Sequence, residues 1–422
     1  MDAIDSRFAP FARLTLSNWR QFGEVEIDFH PNLTVLTGAN GSGKSTLLNI
    51  LGRHFNWSRA FSFAPIARKG VNVWSPGGSP FVRNTAPWIG QLTYGTGHMT
   101  NMSVPEGTPS ERQQYEVSFD NGLQQVRGIY LTSHRAIPGN YAGISAIPAL
   151  FSSPEQILEQ FTTEVRTRWL GGYSGRTPTL ALKESLISAA VFGEGNQSVE
   201  PNPTAQDIWV GFQEVLRSVM PASLGFQRLR IRMPDVLLET GSGDFIFEEA
   251  SGGLSSIIEM SWQIFLRSRD KPDFVVLIDE PENHLHPSLQ KEIIPSLLRA
   301  FPKVQFVVAT HSPFVVTASP DSAVYVLDYD ENRRVNSAKL DYANKAASAE
   351  RTLTRVLGLE STTPRWAEEK FDSIIERYVS DSLTSEQLRS LRRELEENGL
   401  ESEFPNAIIS VTDDSPYRGD YR

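Results

Sequence analysis

The 422-residue sequence contains no cysteine, no long apolar run and no excess of positive charge. Without cysteine the chain has no disulfides, thiolate metal ligands or cysteine nucleophile, which suits a reducing compartment. The sequence has no run of 18 apolar residues, so it predicts no membrane span. The acidic start at residues 1–5 lacks the apolar core of a signal peptide. The formal net charge of −10 argues against general coating of nucleic acid. We therefore expect a cytoplasmic globular protein with no membrane partner.

A glycine-rich segment at residues 38–45 reads GANGSGKS and matches the phosphate-binding pattern G-x-x-x-x-G-K-[ST]. An apolar run precedes it and an apolar helix pattern follows it, which is the strand–loop–helix context that the pattern requires. Backbone N–H groups and the helix N-terminus would bind a polyphosphate, Lys44 would reach its terminal phosphates, and Ser45 would ligate Mg²⁺. The predicted nucleotide-binding residues are Gly38, Ala39, Asn40, Gly41, Ser42, Gly43, Lys44, Ser45 and Thr46.

Two carboxylates stand at the end of another apolar run. Residues 274–278 read FVVLI and are followed at once by Asp279 and Glu280. In P-loop ATPases, acidic residues at the end of a buried strand hold Mg²⁺ and act on the attacking water. We predict Asp279 as a metal ligand together with Ser45, and Glu280 as the general base. The alternative is an Asp-Glu turn that only ends a core strand.

Two further segments indicate which class of P-loop protein this is. Ser251, Gly252 and Gly253 begin an apolar helix, which makes a second anion-binding helix start although Lys44 already serves the chain's own phosphates. Such a start makes sense if it faces the nucleotide of another subunit, and the simpler alternative is a serine-capped helix. His311 stands at the end of an apolar strand, where histidine is either structural or functional.

Apolar strands that alternate with helices predict an α/β fold with parallel strands buried on both faces. Residues 11–19 and 25–29 are predicted to pair before the P-loop strand, and 115–119 and 125–131 to form a hairpin around an Asn-Gly turn. The predicted division is a nucleotide-binding head in residues 8–150 and 225–340, a helical insertion in 151–224, a helical C-terminal region in 341–410 and a flexible tail in 411–422.

The order of these motifs resembles the ABC-type ATPase heads of the SMC-like group, in particular the OLD-type (overcoming lysogenization defect) ATPases and their relatives in anti-phage modules. The resemblance rests on residues 279–287, DEPENHLHP, on 309–313, ATHSP, and on 16–22, LSNWRQF. It implies a P-loop NTPase head of the ABC type, with a mixed sheet flanked by helices and an antiparallel β subdomain, plus the helical insertion and tail. It also implies ATP and Mg²⁺ as cofactors and ATP hydrolysis as the activity.

The resemblance assigns roles to single residues as well. Ser251, Gly252 and Gly253 correspond to the signature motif that completes the ATP site of a partner subunit. His311 corresponds to the switch histidine near the γ-phosphate and would join Lys44 and Glu280 in catalysis. Arg20 is expected to lie near the nucleotide. The residue before the signature serine is alanine rather than leucine, which disfavours a transporter subunit.

The glutamine that senses Mg²⁺ in such heads has no single counterpart here. Gln91 follows the P-loop at a plausible distance, but by topology the loop that holds His134 and Arg135 is the better position. Each of the three is also readable as a structural loop residue. The same resemblance places Glu282 and Asn283 on the loop that crosses the dimer seam.

The predicted function is an ATP-hydrolysing switch that forms a homo-oligomer, at least a dimer, around ATP-Mg²⁺. OLD-type nucleases carry a Toprim nuclease domain, whereas the roughly 80 residues after Leu340 read as charged helices. We therefore expect a separate effector, a nuclease or toxin, as in PARIS-like or Septu-like modules. The alternatives are an SMC-like ATPase that acts directly on nucleic acid and an ATP-gated scaffold with negligible turnover. Arg228, Arg230 and Arg232 share one strand face, which is either a track for nucleic acid or a solvated face paired with acidic neighbours.

Overall fold

The computed structural model divides the chain into two compact units, Met1–Gly358 and Leu359–Arg422. The described residues are 9–57, 59–68, 71–75, 88–105, 114–120, 122–135, 141, 143–144, 151–172, 174–195, 197–340, 349, 352–353, 365–378, 384–401, 404–405 and 407–408. The predicted tail at 411–422 and most of 341–364 lie outside them.

The first unit is built on a mixed sheet of eleven strands. The strands of this unit are β1 Phe11–Trp19, β2 Phe22–Asp28, β3 Leu33–Thr37, β4 Phe61–Ser62, β5 Ala64–Arg68, β6 Val71–Ser75, β7 Trp88–Tyr94, β8 Met99–Ser103, β9 Gln114–Tyr115, β10 Ser118–Phe119, β11 Gly128–Leu131, β12 Phe226–Arg232, β13 Asp235–Thr240, β14 Phe245–Ile246, β15 Phe274–Asp279, β16 Val304–Ala309, β17 Ala323–Tyr329 and β18 Val335–Lys339. The order in the large sheet is β10-β8-β7-β1-β2-β18-β17-β3-β16-β15-β11. Strands β12, β13 and β14 form a separate small sheet.

The large sheet has a parallel part and an antiparallel part. From β17 through β3, β16 and β15 to β11 every pair is parallel, and all residues of β3, β15 and β16 are buried. Burial on both faces explains why these segments read as uninterrupted apolar runs. Strands β2, β1, β7, β8 and β10 continue the sheet as an antiparallel arm. The predicted fold class, an α/β head with a mixed sheet and an antiparallel part, is confirmed.

The two parts of the sheet join at β2 and β18. Their backbones share a single register pair, Val335 opposite Phe22. Beyond it, Asn336 Oδ1, Ser337 Oγ and Tyr325 Oη accept hydrogen bonds from three alternate backbone N–H groups of β2, at 2.7, 2.7 and 2.9 Å. Side chains therefore make much of this junction, where a regular strand pair would use backbone carbonyls.

Helices cover the parallel part of the sheet. They are α1 Lys44–Gly52, α2 Pro154–Trp169, α3 Pro178–Glu194, α4 Pro203–Val219, α5 Gly252–Ser268, α6 Pro287–Ala300 and α7 Pro313–Val316. The region predicted as a helical insertion forms α2, α3 and α4, each with proline at its start and a capping side chain before it, namely Ser153, Thr177 or Asn202. Helices α2 and α4 pack on α5, so this region shares the core of the first unit.

The hairpin predicted across residues 115–131 is wrong in its pairing. Strand β10 pairs with β8, whereas β11 leaves the turn and pairs in parallel with β15 at the far end of the sheet. Ile129, Tyr130 and Leu131 are all buried. Such a strand needs cover on both faces, which the core beside β15 provides and a surface hairpin does not.

Among its described residues, the second unit has the helices α8 Arg365–Tyr378 and α9 Ser385–Glu397. They pack through a small apolar core of their own, which includes Ile374, Leu391 and Leu395. Thr384 begins α9 with a capping box that involves Gln387. Within the described part of the chain, no helix is long and apolar enough to cross a bilayer.

Candidate ATP site

The P-loop connects the buried strand β3 to helix α1. Gly38 and Gly43 have φ angles of 139° and 97°, which favour glycine. A Cβ on Gly38 would lie 2.2 Å from the Leu327 carbonyl oxygen, and one on Gly43 would lie 2.4 Å from Phe22 Cζ. The neighbours of the loop therefore leave no room for side chains at either position. This packing shapes a backbone cradle of the kind that wraps a polyphosphate.

Lys44 begins α1 and is 8% exposed. Its Nζ donates hydrogen bonds to the carbonyl oxygens of Gly38 and Ala39, at 2.8 and 3.1 Å. Burial lowers the pKa of Lys44, while the nearby carboxylates of Glu280 and Asp279 oppose that shift. The ammonium group thus lies inside the loop that would hold the phosphates, within the field of Glu280, the predicted general base, and Asp279, the predicted metal ligand.

Ser45 and Asp279 meet at the end of β15. The Ser45 hydroxyl donates to Asp279 Oδ1 at 3.1 Å, so two oxygen ligands stand together beside the P-loop. Burial raises the pKa of Asp279, which is 6% exposed. Ser42 Oγ, also buried in the loop, has no hydrogen-bond partner among the described residues. A hydroxyl and a carboxylate beside an unpaired polar atom fit Mg²⁺ and phosphate oxygens, since Mg²⁺ uses one or two protein oxygens together with phosphates and water.

Glu280 adopts a left-handed backbone conformation, with a φ of 50°. Its N–H donates to the carbonyl oxygen of Ala309 at 2.8 Å, which ties the end of β15 to the end of β16. The Asn283 amide donates to Glu280 Oε2 at 2.9 Å, and His311 Nδ1 lies 3.5 Å from Glu280 Oε1. A non-glycine residue in this conformation carries local strain, which is common at functional sites. The structure thus brings Glu280, the predicted general base, and His311 together.

Glu282 is a residue of the site whose position the sequence interpretation missed. The resemblance placed it on a loop at the dimer seam, but it is 5% exposed and lies inside this chain. Its Oε1 accepts hydrogen bonds from Thr310 Oγ1, His311 N and Ser312 N, at 2.6, 3.1 and 3.2 Å. The signal in the sequence was the pair of hydroxyl residues on either side of His311, which can face a buried acceptor. Glu282 therefore holds the backbone that carries the histidine.

Arg135 contacts the backbone of Asp279 and Glu280. Its Nη2 donates to the carbonyl oxygens of Asp279 and Glu280, at 3.1 and 3.4 Å, and burial lowers the pKa of its guanidinium. Asn283 also donates to the Ser133 carbonyl oxygen at 3.1 Å, so this loop contacts the end of β15 at two points. Gln91 lies instead on β7 in the antiparallel arm. Of the candidates for the glutamine position, Arg135 is the one that contacts the site.

The segment from Ser251 to Gly253 starts helix α5. The Ser251 hydroxyl accepts from Leu254 N at 3.4 Å, and the residue is exposed. A Cβ on Gly253 would lie 2.9 Å from the carbonyl oxygen of His284, which has a φ of 67°. The loop after Glu280 therefore packs directly on this helix start. The Ser251 hydroxyl thus contacts its own helix start, and the role of Ser251 toward a second subunit stays a prediction.

Arg20 lies in the β1–β2 turn, where its guanidinium carbon is 5.4 Å from the centroid of the Phe61 ring. Its Nη1 donates to the Ser62 carbonyl oxygen at 3.3 Å. The next residues in the turn come closest to the P-loop, because Gln21 Nε2 and Phe22 would meet a Cβ on Gly43. Gln21 is thus a second residue beside the site that the sequence interpretation did not single out, and the role of Arg20 at the nucleotide stays a prediction.

The arginines of β12 have acidic partners. Arg228 Nε and Arg230 Nη1 lie 2.5 and 3.0 Å from the two carboxylate oxygens of Glu239 on β13. Arg232 stands opposite Asp235 in the same strand pair. These contacts favour the interpretation as a solvated, charge-paired face over that of a nucleic-acid track.

The fold and the site indicate the class of protein that the chain resembles. The chain has a P-loop between a buried strand and a helix, a parallel strand that ends in Asp279 and Glu280, and a histidine at the next strand end, and in these features it is similar to the ABC-type P-loop ATPase heads of the SMC-like group. Two family models match the chain: "AAA domain" over residues 13–53 and "AAA domain, putative AbiEii toxin, Type IV TA system" over residues 237–317. Both matched segments contribute to the site, the first with the P-loop and the second with the carboxylates and His311.

Parts of the chain are similar in sequence to three kinds of curated protein. The chain is 28% identical over 158 residues to the Septu protein PtuA of Bacillus thuringiensis, a match that covers 34% of the chain and 40% of that protein. It is 31% identical over 121 residues to the retron Ec83 probable ATPase of Escherichia coli (28% and 21%). It is 30% identical over 152 residues to the DNA replication and repair protein RecF of Mesorhizobium japonicum (34% of each). The matched segments thus span at most 40% of these relatives.

An SMC head domain from Thermotoga maritima aligns with 79% of the chain and 99% of its own length, with 14% identity and a TM-score of 0.37. The curated relatives confirm the predicted resemblance to SMC-like ABC-type ATPases and to ATPases of prokaryotic defence systems.

Proposed function

We propose that this protein hydrolyses ATP as a molecular switch, that two copies close around two ATP-Mg²⁺, and that the cycle controls a separate effector in anti-phage defence. The observation that carries the catalytic part is the meeting of Lys44, Ser45, Asp279 and Glu280 at one edge of the sheet, with His311 3.5 Å from Glu280. Parallel strands place their carboxyl ends at the same edge, so segments far apart in sequence share one site.

The residues divide the chemistry among them. Lys44 and the loop N–H groups would hold the β- and γ-phosphates, and Ser45 and Asp279 would hold Mg²⁺, which supplies charge neutralisation at the phosphates when bound. Glu280 accepts a proton from the attacking water as general base. Asn283 and His311 contact the two carboxylate oxygens of Glu280 and fix its orientation. Arg135 donates to the two backbone carbonyls behind the pair and holds that strand end in place.

The dimer part of the proposal rests on α5. This helix has 17 residues, and Ser251 at its start is exposed, so a second copy could reach this helix start. Lys44 and the P-loop already serve the chain's own nucleotide. A second helix start with the same chemistry is explained if it contacts the γ-phosphate held by another copy. The effector part is supported by the similarity to a Septu protein and to a retron ATPase.

Replacement of Glu280 by glutamine tests the catalytic and dimer parts together. We expect Glu280→Gln to lower turnover at least about 100-fold, because the amide cannot accept the proton. The variant should also accumulate as an ATP-bound dimer, measured as a doubled mass by light scattering. Glu214→Gln, an exposed position on α4, is the matched control and should behave as the parent. Unchanged turnover would refute the role of Glu280, and lost turnover without a dimer would refute the shared site.

The effector part requires a second protein. A tagged chain purified from its native cells should bring down one partner in fixed stoichiometry, and loss of that partner should abolish protection against phage. A chain that protects cells without any partner would contradict this part alone. An ATPase that acts on nucleic acid would instead show turnover stimulated by DNA, and that stimulation would be lost when Arg228, Arg230 and Arg232 are replaced by glutamate.

A further inference from the structure

A lysine is fully buried in the helical layer of the first unit. Lys183, on α3, is 0% exposed. Its Nζ donates to Asp235 Oδ1 at 2.8 Å and to Glu248 Oε1 at 2.6 Å, and it lies 4.9 Å from the centroid of the Tyr141 ring. A buried ammonium is costly unless it is paired and hydrogen-bonded, and replacing such a pair by apolar residues is often neutral or stabilising. The cluster therefore calls for an explanation beyond stability.

The two carboxylates belong to different parts of the fold. Asp235 begins β13 in the small sheet. Glu248 lies in the 3-10 helix Phe247–Glu249, directly before the segment that starts α5. Only Glu249 and Ala250 separate Glu248 from Ser251, so the Glu248 side chain anchors the chain immediately before that segment.

The residues directly before α5 are fixed by two contacts. Ser255 Oγ, one turn into the helix, donates to the carbonyl oxygen of Ala250 at 3.4 Å. On the other side the Glu248 carboxylate, with its side chain 7% exposed, pairs with Lys183. Burial lowers the pKa of Lys183, but its hydrogen bonds to Asp235 and Glu248 raise it by more, so the ammonium stays charged at neutral pH. The segment leading to Ser251 is thus fixed to α3 by a charge-assisted contact.

We propose that Lys183 and Glu248 are positioning residues for the helix start at Ser251–Gly253, and that they set the orientation in which this segment meets the nucleotide of a second copy. The proposal rests on the proposed function, since it requires that Ser251 completes a partner's ATP site. The proposal gives different roles to the two carboxylates that contact Lys183. Glu248 orients the segment, whereas Asp235 only neutralises the second half of the buried charge.

Glu248→Gln and Asp235→Asn test this division in the Glu280→Gln background. Each removes one carboxylate from Lys183 and keeps the size of the side chain, so both should lower thermal stability to a similar extent. Only Glu248→Gln should weaken ATP-dependent dimerisation, by about tenfold in the dissociation constant, which is within the range for mutations that change coupling between sites. Asp235→Asn should stay within about twofold of its parent in the same measurement. Binding of a fluorescent ATP analogue by dilute monomer should be unchanged in both, because the P-loop is untouched.

Equal loss of dimerisation in the two variants, or no loss in either, would overturn the proposal while the Glu280→Gln parent still dimerises. Failure of that parent to dimerise in ATP would overturn the shared ATP site and this proposal together. If Glu248→Gln does not fold, Glu248→Asp keeps the charge with a shorter reach and gives the same comparison. It should show the same direction of change with a smaller size.

Discussion

Glu282 Oε1 accepts a 2.6 Å hydrogen bond from Thr310 Oγ1, across 28 residues of sequence. The same oxygen accepts from the backbone N–H groups of His311 and Ser312. A buried carboxylate that receives three donors is strongly held, because each bond to a charged acceptor is stronger than one between neutral groups. This contact couples the loop after the catalytic carboxylates to the strand end that carries the histidine.

Glu282→Ala should therefore disorganise the histidine segment. It leaves the Thr310 hydroxyl and the His311 N–H without their acceptor, while the Ser312 N–H keeps its hydrogen bond to Thr310 Oγ1, and we expect a cost of about 3 kcal/mol in the free energy of unfolding. Turnover should fall together with stability, while binding of a fluorescent ATP analogue at the P-loop is retained. Thermal denaturation and a phosphate-release assay measure the two effects. The exposed Glu331→Ala serves as control, and full turnover in Glu282→Ala would show that this contact has no part in catalysis.

Asp279→Asn should stabilise the protein and inactivate it. Burial raises the pKa of Asp279, so the folded state binds the proton more tightly than the unfolded state. The stability that this proton contributes is present below the unfolded pKa and is lost as pH rises through the folded pKa. At pH 7 a neutral amide avoids the cost of a buried carboxylate, and we expect a melting temperature a few degrees higher, measured without nucleotide. Turnover should be lost with the Mg²⁺ ligand. A lower melting temperature of Asp279→Asn at pH 7 would contradict the inference that the buried Asp279 carboxylate destabilises the folded state.

Arg135→Leu tests which residue takes the glutamine position. The substitution removes the donor to the carbonyl oxygens of Asp279 and Glu280. Loss of a contact behind the metal-binding residues typically costs 10- to 100-fold, and we expect turnover to fall by about that factor. Gln91→Leu is the matched comparison, because Gln91 Nε2 donates to Asn101 in the antiparallel arm. A larger loss of turnover in Gln91→Leu than in Arg135→Leu would reverse the assignment.

His54 should make the first unit sensitive to acid. Burial beside Phe11 and Tyr94 lowers the pKa of His54 to about 4, so the folded state binds this proton less readily than the unfolded state does. Stability is therefore lost as pH falls from 6.5 toward 4, by up to about 3 kcal/mol from this group. His54→Gln should flatten that part of the pH profile in denaturant unfolding, whereas the exposed His98→Gln should not. If the free energy of unfolding depends on pH in the same way in the parent and in His54→Gln, His54 is not the source of the acid sensitivity.

The local motifs predicted residues that the structure brings to one edge of the sheet, because a P-loop and a carboxylate pair need fixed residue types at fixed spacing. The apolar runs of β3, β15 and β16 likewise predicted parallel strands, since burial on both faces leaves no polar alternation. The pairing of β11 was not predicted correctly. Its local turn favoured a hairpin, while its partner lies more than a hundred residues away in sequence.

Contacts between loops could not be predicted from the sequence pattern either. Glu282 and Arg135 act through hydrogen bonds to backbone groups of other segments, and such bonds leave no residue-type signature at the accepting or donating partner. The same holds for Lys183, whose two carboxylate partners lie 52 and 65 residues away. Only the folded chain brings these groups together.

The junction between β2 and β18 has a consequence for how the sheet tolerates substitution. Backbone pairing is indifferent to side-chain identity, so most strand pairs survive changes of sequence that keep their pattern. Here backbone pairing is confined to the region of Val335, and three N–H groups of β2 instead donate to Asn336, Ser337 and Tyr325 side chains. Alanine at the first two positions would remove the acceptors of the Glu24 and Glu26 N–H groups. The contact between the nucleotide-binding part of the sheet and its antiparallel arm therefore depends on side-chain identity, which a regular strand pair does not.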